Sequence, residues 1–171
     1  MGSVLLAMGK LDDALESYHS ALRWTQLTVV DDTKDTKRQY VLSTSYEGMG
    51  DLPRAQSRFD EAIKNYRQAL ALRERLVAGD PRNKPWQVGL APIHGKLAAL
   101  YERQGLMSSA LTEAKAAHEA IRAVSVNYID DSVIVYAEGK HTPAAEEWYR
   151  EALHYEAEVK RLQERAQGRK R

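Results

Sequence analysis

The chain repeats itself every 48 residues, and that limits it to architectures that stack one supersecondary unit on the next. Gly9, Ser57 and Gly105 stand at this offset, as do Leu11, Phe59 and Met107. Ala14, Ala62 and Ala110 coincide and are followed by Leu15, Ile63 and Leu111. Tyr18 falls on Tyr66, and Ala21 on Ala69 and Ala117. Ahead of the turn, Leu42 falls on Leu90, Leu52 on Leu100 and Gln56 on Gln104. The connecting stretches agree too, with Val29 over Val77 and Asp32 over Asp80.

Inside each repeat the pattern is helical. Leu11, Ala14, Leu15, Tyr18, Ala21 and Leu22 recur at three- and four-residue spacing, which places them on one helix stripe. Phe59, Ala62, Ile63, Tyr66, Ala69 and Leu70 draw the same stripe again. Alanine lets neighbouring helix backbones approach closely, and tyrosine or phenylalanine fills the space between them. With ten glycines and five prolines in 171 residues, few breakers interrupt the strong helix formers. The fold class is therefore all-α, and Leu15, Ile63 and Leu111 are expected to be equivalent core positions.

These residues carry a family resemblance. Tyr46-x2-Met49-Gly50 and His94-x2-Leu97-Ala98-x2-Tyr101 resemble the first-helix pattern of the tetratricopeptide (TPR) repeat. Ala62-x3-Tyr66-x2-Ala69 and Ala110-x3-Ala114-x2-Ala117 resemble its second helix. The usual period is about 34 residues, so each helix is longer by about two turns, which is similar to kinesin light chain and to certain large bacterial repeat proteins. The stretch from Asp80 to Gln87 is similar to the linker between repeats in the latter. The resemblance implies a right-handed superhelical solenoid of antiparallel helix pairs, about three and a half repeats with a C-terminal capping helix. It spans one domain over residues 4–167, with repeats at about 4–30, 34–79, 84–126 and 128–167. Residues 1–3 read as an expression scar and 168–171 as a basic tail.

The pattern is broken in places. Pro53 occupies a slot where tyrosine is usual, inside an expected helix, and should kink it or end it early. Ala114 replaces an aromatic residue. The last repeat returns to a spacing of 34 residues between Gly105 and Gly139. There, Thr142-Pro143 makes a helix start, and Ala145, Tyr149 and Ala152 restore the stripe. The first repeat is incomplete, since only Ser3 to Met8 stand for its first helix, which leaves room for cover by upstream chain or by a second molecule.

Composition and motifs exclude most chemistry. The formal net charge of +1 gives no global field toward nucleic acid. No cysteine is present, so disulfides, thiolate metal sites and a cysteine nucleophile are absent. The apolar run Val4 to Met8 is far too short to span a bilayer, and a cytoplasmic location is expected. His19, His94, His118, His141 and His154 show no zinc spacing, and His94 reads as a helix-contact residue. Gly48-Met49-Gly50 serves close packing and is no phosphate loop. Trp24, Trp86 and Trp148 read as seals between repeats. Lys160, Arg161, Arg165, Arg169, Lys170 and Arg171 complement a helix C-terminus and keep it solvated. No catalytic constellation, metal site or cofactor is expected.

The resemblance implies that the first helix of each pair lines a concave groove. Once the packing stripe is assigned, Thr44, Glu47, Asp51 and Arg54 remain for the groove in one repeat, and Lys96, Ala99, Glu102 and Arg103 in the next. Asn127, Asp130 and Glu138 extend the row. The paired lysines and asparagines that clamp a C-terminal carboxylate elsewhere in the family are missing, with Lys96 and Arg103 as partial counterparts. The groove is mixed in charge and somewhat acidic, so the expected partner is a protein segment, a peptide or helix carrying Lys or Arg. The alternatives are a structural self-assembly module, a homo-oligomer joined through the incomplete N-terminal repeat, or a regulatory segment of a larger bacterial signalling protein.

Overall fold

A computed structural model describes residues 4–5, 8–27, 35–138 and 143–168. For residues 11, 25–27, 55, 124–138 and 143–149 it describes the backbone alone. Every regular element among the described residues is a helix: α1 (Leu11–Leu27), α2 (Thr36–Ala55), α3 (Phe59–Gly79), α4 (Lys84–Val88), α5 (Leu90–Arg103), α6 (Met107–Glu138) and α7 (Pro143–Gly168). The chain divides into two compact units, Met1–Asp80 and Pro81–Arg171.

The 48-residue offset is written into the backbone. Gly9, Ser57 and Gly105 have φ of 72°, 62° and 77°, the left-handed conformation that ends a helix. Each sits in the same bonding pattern. Lys10 N donates to Leu5 O at 2.9 Å, Arg58 N to Pro53 O at 2.7 Å and Leu106 N to Tyr101 O at 2.8 Å. Ser57 N to Arg54 O and Gly105 N to Glu102 O complete the Schellman closure. The following helix then starts alike each time, with Ala14, Ala62 and Ala110 donating back to Lys10, Arg58 and Leu106.

In the first unit α2 packs against both α1 and α3. Asp35 caps α2 by accepting from Arg38 N at 3.0 Å. Ala14, Tyr18 and Leu52 form a core cluster, with Leu5 and Met49 packed on it. Gly48 receives the Tyr18 ring and Gly50 the Tyr66 ring; a β-carbon at Gly50 would lie 2.5 Å from the latter. Pro53 is accommodated near the end of α2, which stops two residues later at Ala55.

Two expectations fail on α1. Ile63 is buried and Leu111 half-buried, but Leu15 is 39% exposed. It lies on the α1 face of Asp12, Glu16, His19 and Arg23, whereas Ala14, Tyr18 and Leu22 form the buried face. Trp24, read as a seal, is 56% exposed. Trp148 lies outside the described side chains.

In the second unit α5 and α6 pair, with α4 and α7 packed on α6. Asn83 caps α4 through Trp86 N at 3.3 Å. Ala91, Ile93, Leu97, Leu100, Ala110, Ala114, Ala117 and Ile121 make the core. Ala98 and Ala114 take the places held 48 residues earlier by Gly50 and Tyr66, and both are fully buried, so two alanines replace a glycine and an aromatic ring. The repeat boundary expected at 126–128 falls inside α6, where Val124 to Glu138 offers no glycine or proline to break a helix. α7 begins at Pro143, the position expected of a first-turn proline.

Candidate partner-binding faces

On α2, Thr44 is exposed and its hydroxyl donates to Tyr40 O at 3.0 Å. Arg54 is exposed, with Nε 3.6 Å from Asp51. The two acids between them are engaged inside the unit. Glu47 accepts from Arg73 of α3 at 2.7 Å. Asp51 accepts the Tyr66 hydroxyl at 2.6 Å.

Arg73 is the residue that sequence reasoning missed here. It is 7% exposed, and its guanidinium carbon stands 5.8 Å from the centre of the Tyr40 ring, within the range of a cation–π contact. A signal was present: 48 residues later the same position is Ile121, a fully buried core residue. An arginine on a core stripe requires an acid across the helix pair, and Glu47 is that acid. Removing one partner of such a buried pair costs about 3–5 kcal/mol, so Glu47 belongs to the frame of the unit.

Burial raises the Tyr66 phenol well above its ordinary value, and the hydrogen bond to the Asp51 carboxylate adds to it. Burial also raises Tyr18, helped by the charges of Asp51 and Glu47. Both phenols therefore stay neutral donors, and neither resembles an activated nucleophile.

On α5, Lys96 is half-buried, while Ala99 and Arg103 are exposed. Glu102 is occupied: Arg161 of α7 donates to both its oxygens at 2.7 Å, and Arg165 reaches the same carboxylate. These bonds, Arg161's first, hold the Glu102 carboxyl below its ordinary range against an opposing effect of burial. Part of the basic stretch read as a solvated helix end thus serves as a tie to α5. His94 bridges α5 to α6 through Glu113 at 2.7 Å, the helix contact expected of it. Asn127, Asp130 and Glu138 lie on α6, beyond the described side chains. The structure thus brings Thr44, Glu47, Asp51 and Arg54 together on α2, and Lys96, Glu102 and Arg103 on α5.

No cluster of three or more His, Cys, Asp or Glu among the described residues could hold a metal ion. No described helix is long and apolar enough to cross a membrane.

Residues 46–80 match the repeat family described as SHNi-TPR. This stretch holds the second half of α2, the Ser57 turn and α3, with the Gly50–Tyr66 contact between them. The match supports a TPR-type family for the chain, and with it protein–protein interaction in general. No curated protein matches the sequence.

Proposed function

We propose that the chain is a protein-interaction module in which the exposed side of the first helix of a unit, α2 or α5 each by itself, holds a peptide or helix of a protein partner. The observation that carries this reading is the TPR-type match over residues 46–80, a class of repeat that serves binding and is typically not enzymatic. The preferred partner is a segment carrying Lys or Arg. In support, Glu102 already accepts two guanidinium groups from its own chain, which is the pairing such a segment would make. Thr44 and Arg54 would border a partner on α2, and Lys96 and Arg103 one on α5, while Glu47 and Asp51 keep the first helix pair in shape. The long-period subtype and a cytoplasmic site of action belong to the same proposal.

The test is affinity capture with the chain and with a Thr44→Lys/Ala99→Lys variant of unchanged melting temperature, which sets like charge against the partner's Lys or Arg. A protein retained by the first and lost by the second supports the reading. Equal retention by both, or none by either, contradicts it.

A second reading, self-association through the first unit, draws on one observation. Val4, Met8, Leu15 and Trp24 are large apolar residues exposed along its N-terminal part. It predicts a mass in solution that rises with concentration and falls back to the monomer in a Leu15→Glu/Trp24→Glu variant.

A further inference from the structure

One face of α1 carries its charges in a particular order. Asp12, Leu15, Glu16, His19 and Arg23 follow one another at three- and four-residue spacing and line one open groove along the helix. All five are exposed, Leu15 at 39%, while Ala14, Tyr18 and Leu22 hold the helix on its core. Among the described residues no ion pair ties these charges to the unit, and Arg23 reaches Ser20 Oγ at 3.4 Å. Acids near the start of a helix and a base near its end suit the helix dipole. The dipole gives no reason for a leucine exposed between them.

The order is self-complementary. When a second α1 lies antiparallel, with a two-fold axis passing between Ser17 and Tyr18, Asp12 faces Arg23 of the second copy and Glu16 faces its His19. The same contacts recur by symmetry on the other side of the axis. Each Leu15 then falls opposite Ser20 of the other copy, a small residue that leaves it room. A parallel pair would set Asp12 against Asp12 and Glu16 against Glu16. The property belongs to α1 and not to the repeat. In α3 the positions 48 residues on are Asp60, Ile63, Lys64, Arg67 and Ala71, and the same pairing would oppose Lys64 to Arg67. There Ile63, the counterpart of Leu15, is buried on a helix that α2 covers, so the slot takes a helix where one is present.

We infer that this face of α1 is a two-fold interface whose occupant is a second copy of the chain, held by Asp12–Arg23 and Glu16–His19 contacts across the axis with Leu15 between them. This rests on the second reading above, self-association through the first unit, and it names the face and the contacts. The charged contacts face solvent, so the dimer is weak, reversible and loosened by salt.

The test is the mass of the full chain in solution, by sedimentation equilibrium, for the wild type and two variants with unchanged circular dichroism. Asp12→Lys/Glu16→Lys makes the face basic throughout, and His19→Glu/Arg23→Glu makes it acidic throughout. Each alone should raise the dimer dissociation constant by more than about tenfold. An equimolar mixture of the two should restore a dimer at least as tight as that of the wild type. Orientation is read separately and with milder changes, since the chain has no cysteine of its own. An Asp12→Cys chain oxidised together with an Arg23→Cys chain should give the mixed disulfide dimer in preference to either like pair. In a parallel pair those two positions would stand roughly 16 Å apart. A dimer that survives both charge variants, a mixture that stays monomeric, or like pairs favoured among the disulfides would overturn this interface and leave self-association to another face. A wild-type chain that is monomeric up to about 1 mM would overturn both the interface and the reading it rests on.

Discussion

Asn65 supplies Met49 with the hydrogen bond that Pro53 takes away. In an unbroken α2 the carbonyl of Met49 would accept from the N–H of residue 53, but proline has none and its ring pushes that carbonyl outward. Asn65 of α3 donates its side-chain amide to Met49 O at 3.3 Å and also to Glu61 O at 3.0 Å. A lapse in one helix is thereby repaired by its neighbour. Asn65→Ala should cost about 1 kcal/mol. In a Pro53→Ala background, where the N–H returns, the same change should cost less by about 0.5 kcal/mol or more. A double-mutant cycle in urea measures this coupling.

The contact of Gly50 with Tyr66 should be equally coupled. The ring cannot retreat freely, because its hydroxyl is tied to Asp51 at 2.6 Å. Gly50→Ala should therefore destabilise by about 1–3 kcal/mol despite the better helix propensity of alanine. Tyr66→Ala alone should cost more, about 3–5 kcal/mol, by analogy with other buried aromatic truncations. The pair of changes together recreates the Ala98 and Ala114 arrangement of the second unit and should cost less than the sum. Gly79, where a β-carbon meets nothing within 4 Å, is the control: Gly79→Ala should be neutral or stabilising by thermal melting.

Ser57 is the one turn residue of its set that is not glycine. A side chain in the left-handed region costs about 1 kcal/mol, and φ there is 62°. Ser57→Gly should raise stability by up to about 1 kcal/mol, read as a higher urea midpoint with unchanged slope.

These features divide by how far they could be read from the sequence. The turn at Ser57, the helix pairs and the stripe of Ala62, Tyr66 and Ala69 were legible because a period and a left-handed turn residue are properties of the chain itself. The surroundings of Glu47, Asp51 and Glu102 were not. Assigning a helix one packed stripe makes every other position outward, but α2 is packed from two sides, by Tyr18 at Gly48 and by Tyr66 at Gly50. Its acids therefore lie along the edges of contacts, where side chains from other helices reach them. Arg161 stands 59 residues beyond Glu102, and no local spacing links the two. Leu15 shows the converse: the repeat implies a core position, but burial depends on a neighbour that the period cannot guarantee.

The tie between Glu102 and Arg161 sets an acid limit. A carboxyl whose folded pKa is lowered stabilises the fold above its unfolded pKa, about 4.3, and that contribution is lost as pH falls through the lower folded value. The melting temperature of Glu102→Gln should therefore lie below that of the wild type near neutrality. The gap should close as pH falls below about 4. Thermal melts of both chains across that range check it, and a gap independent of pH would assign the effect to packing.

The most direct test of the central claim, that the exposed side of the first helices receives a protein partner, is a positional photo-crosslink. A photoreactive residue is placed at Thr44 of α2 or Arg103 of α5, and for comparison at Lys64 of α3 or Lys115 of α6, all exposed positions. The account predicts a discrete crosslinked partner from Thr44 and Arg103, with little or none from Lys64 and Lys115. Crosslinks of equal yield from all four, or from the second helices alone, would contradict it.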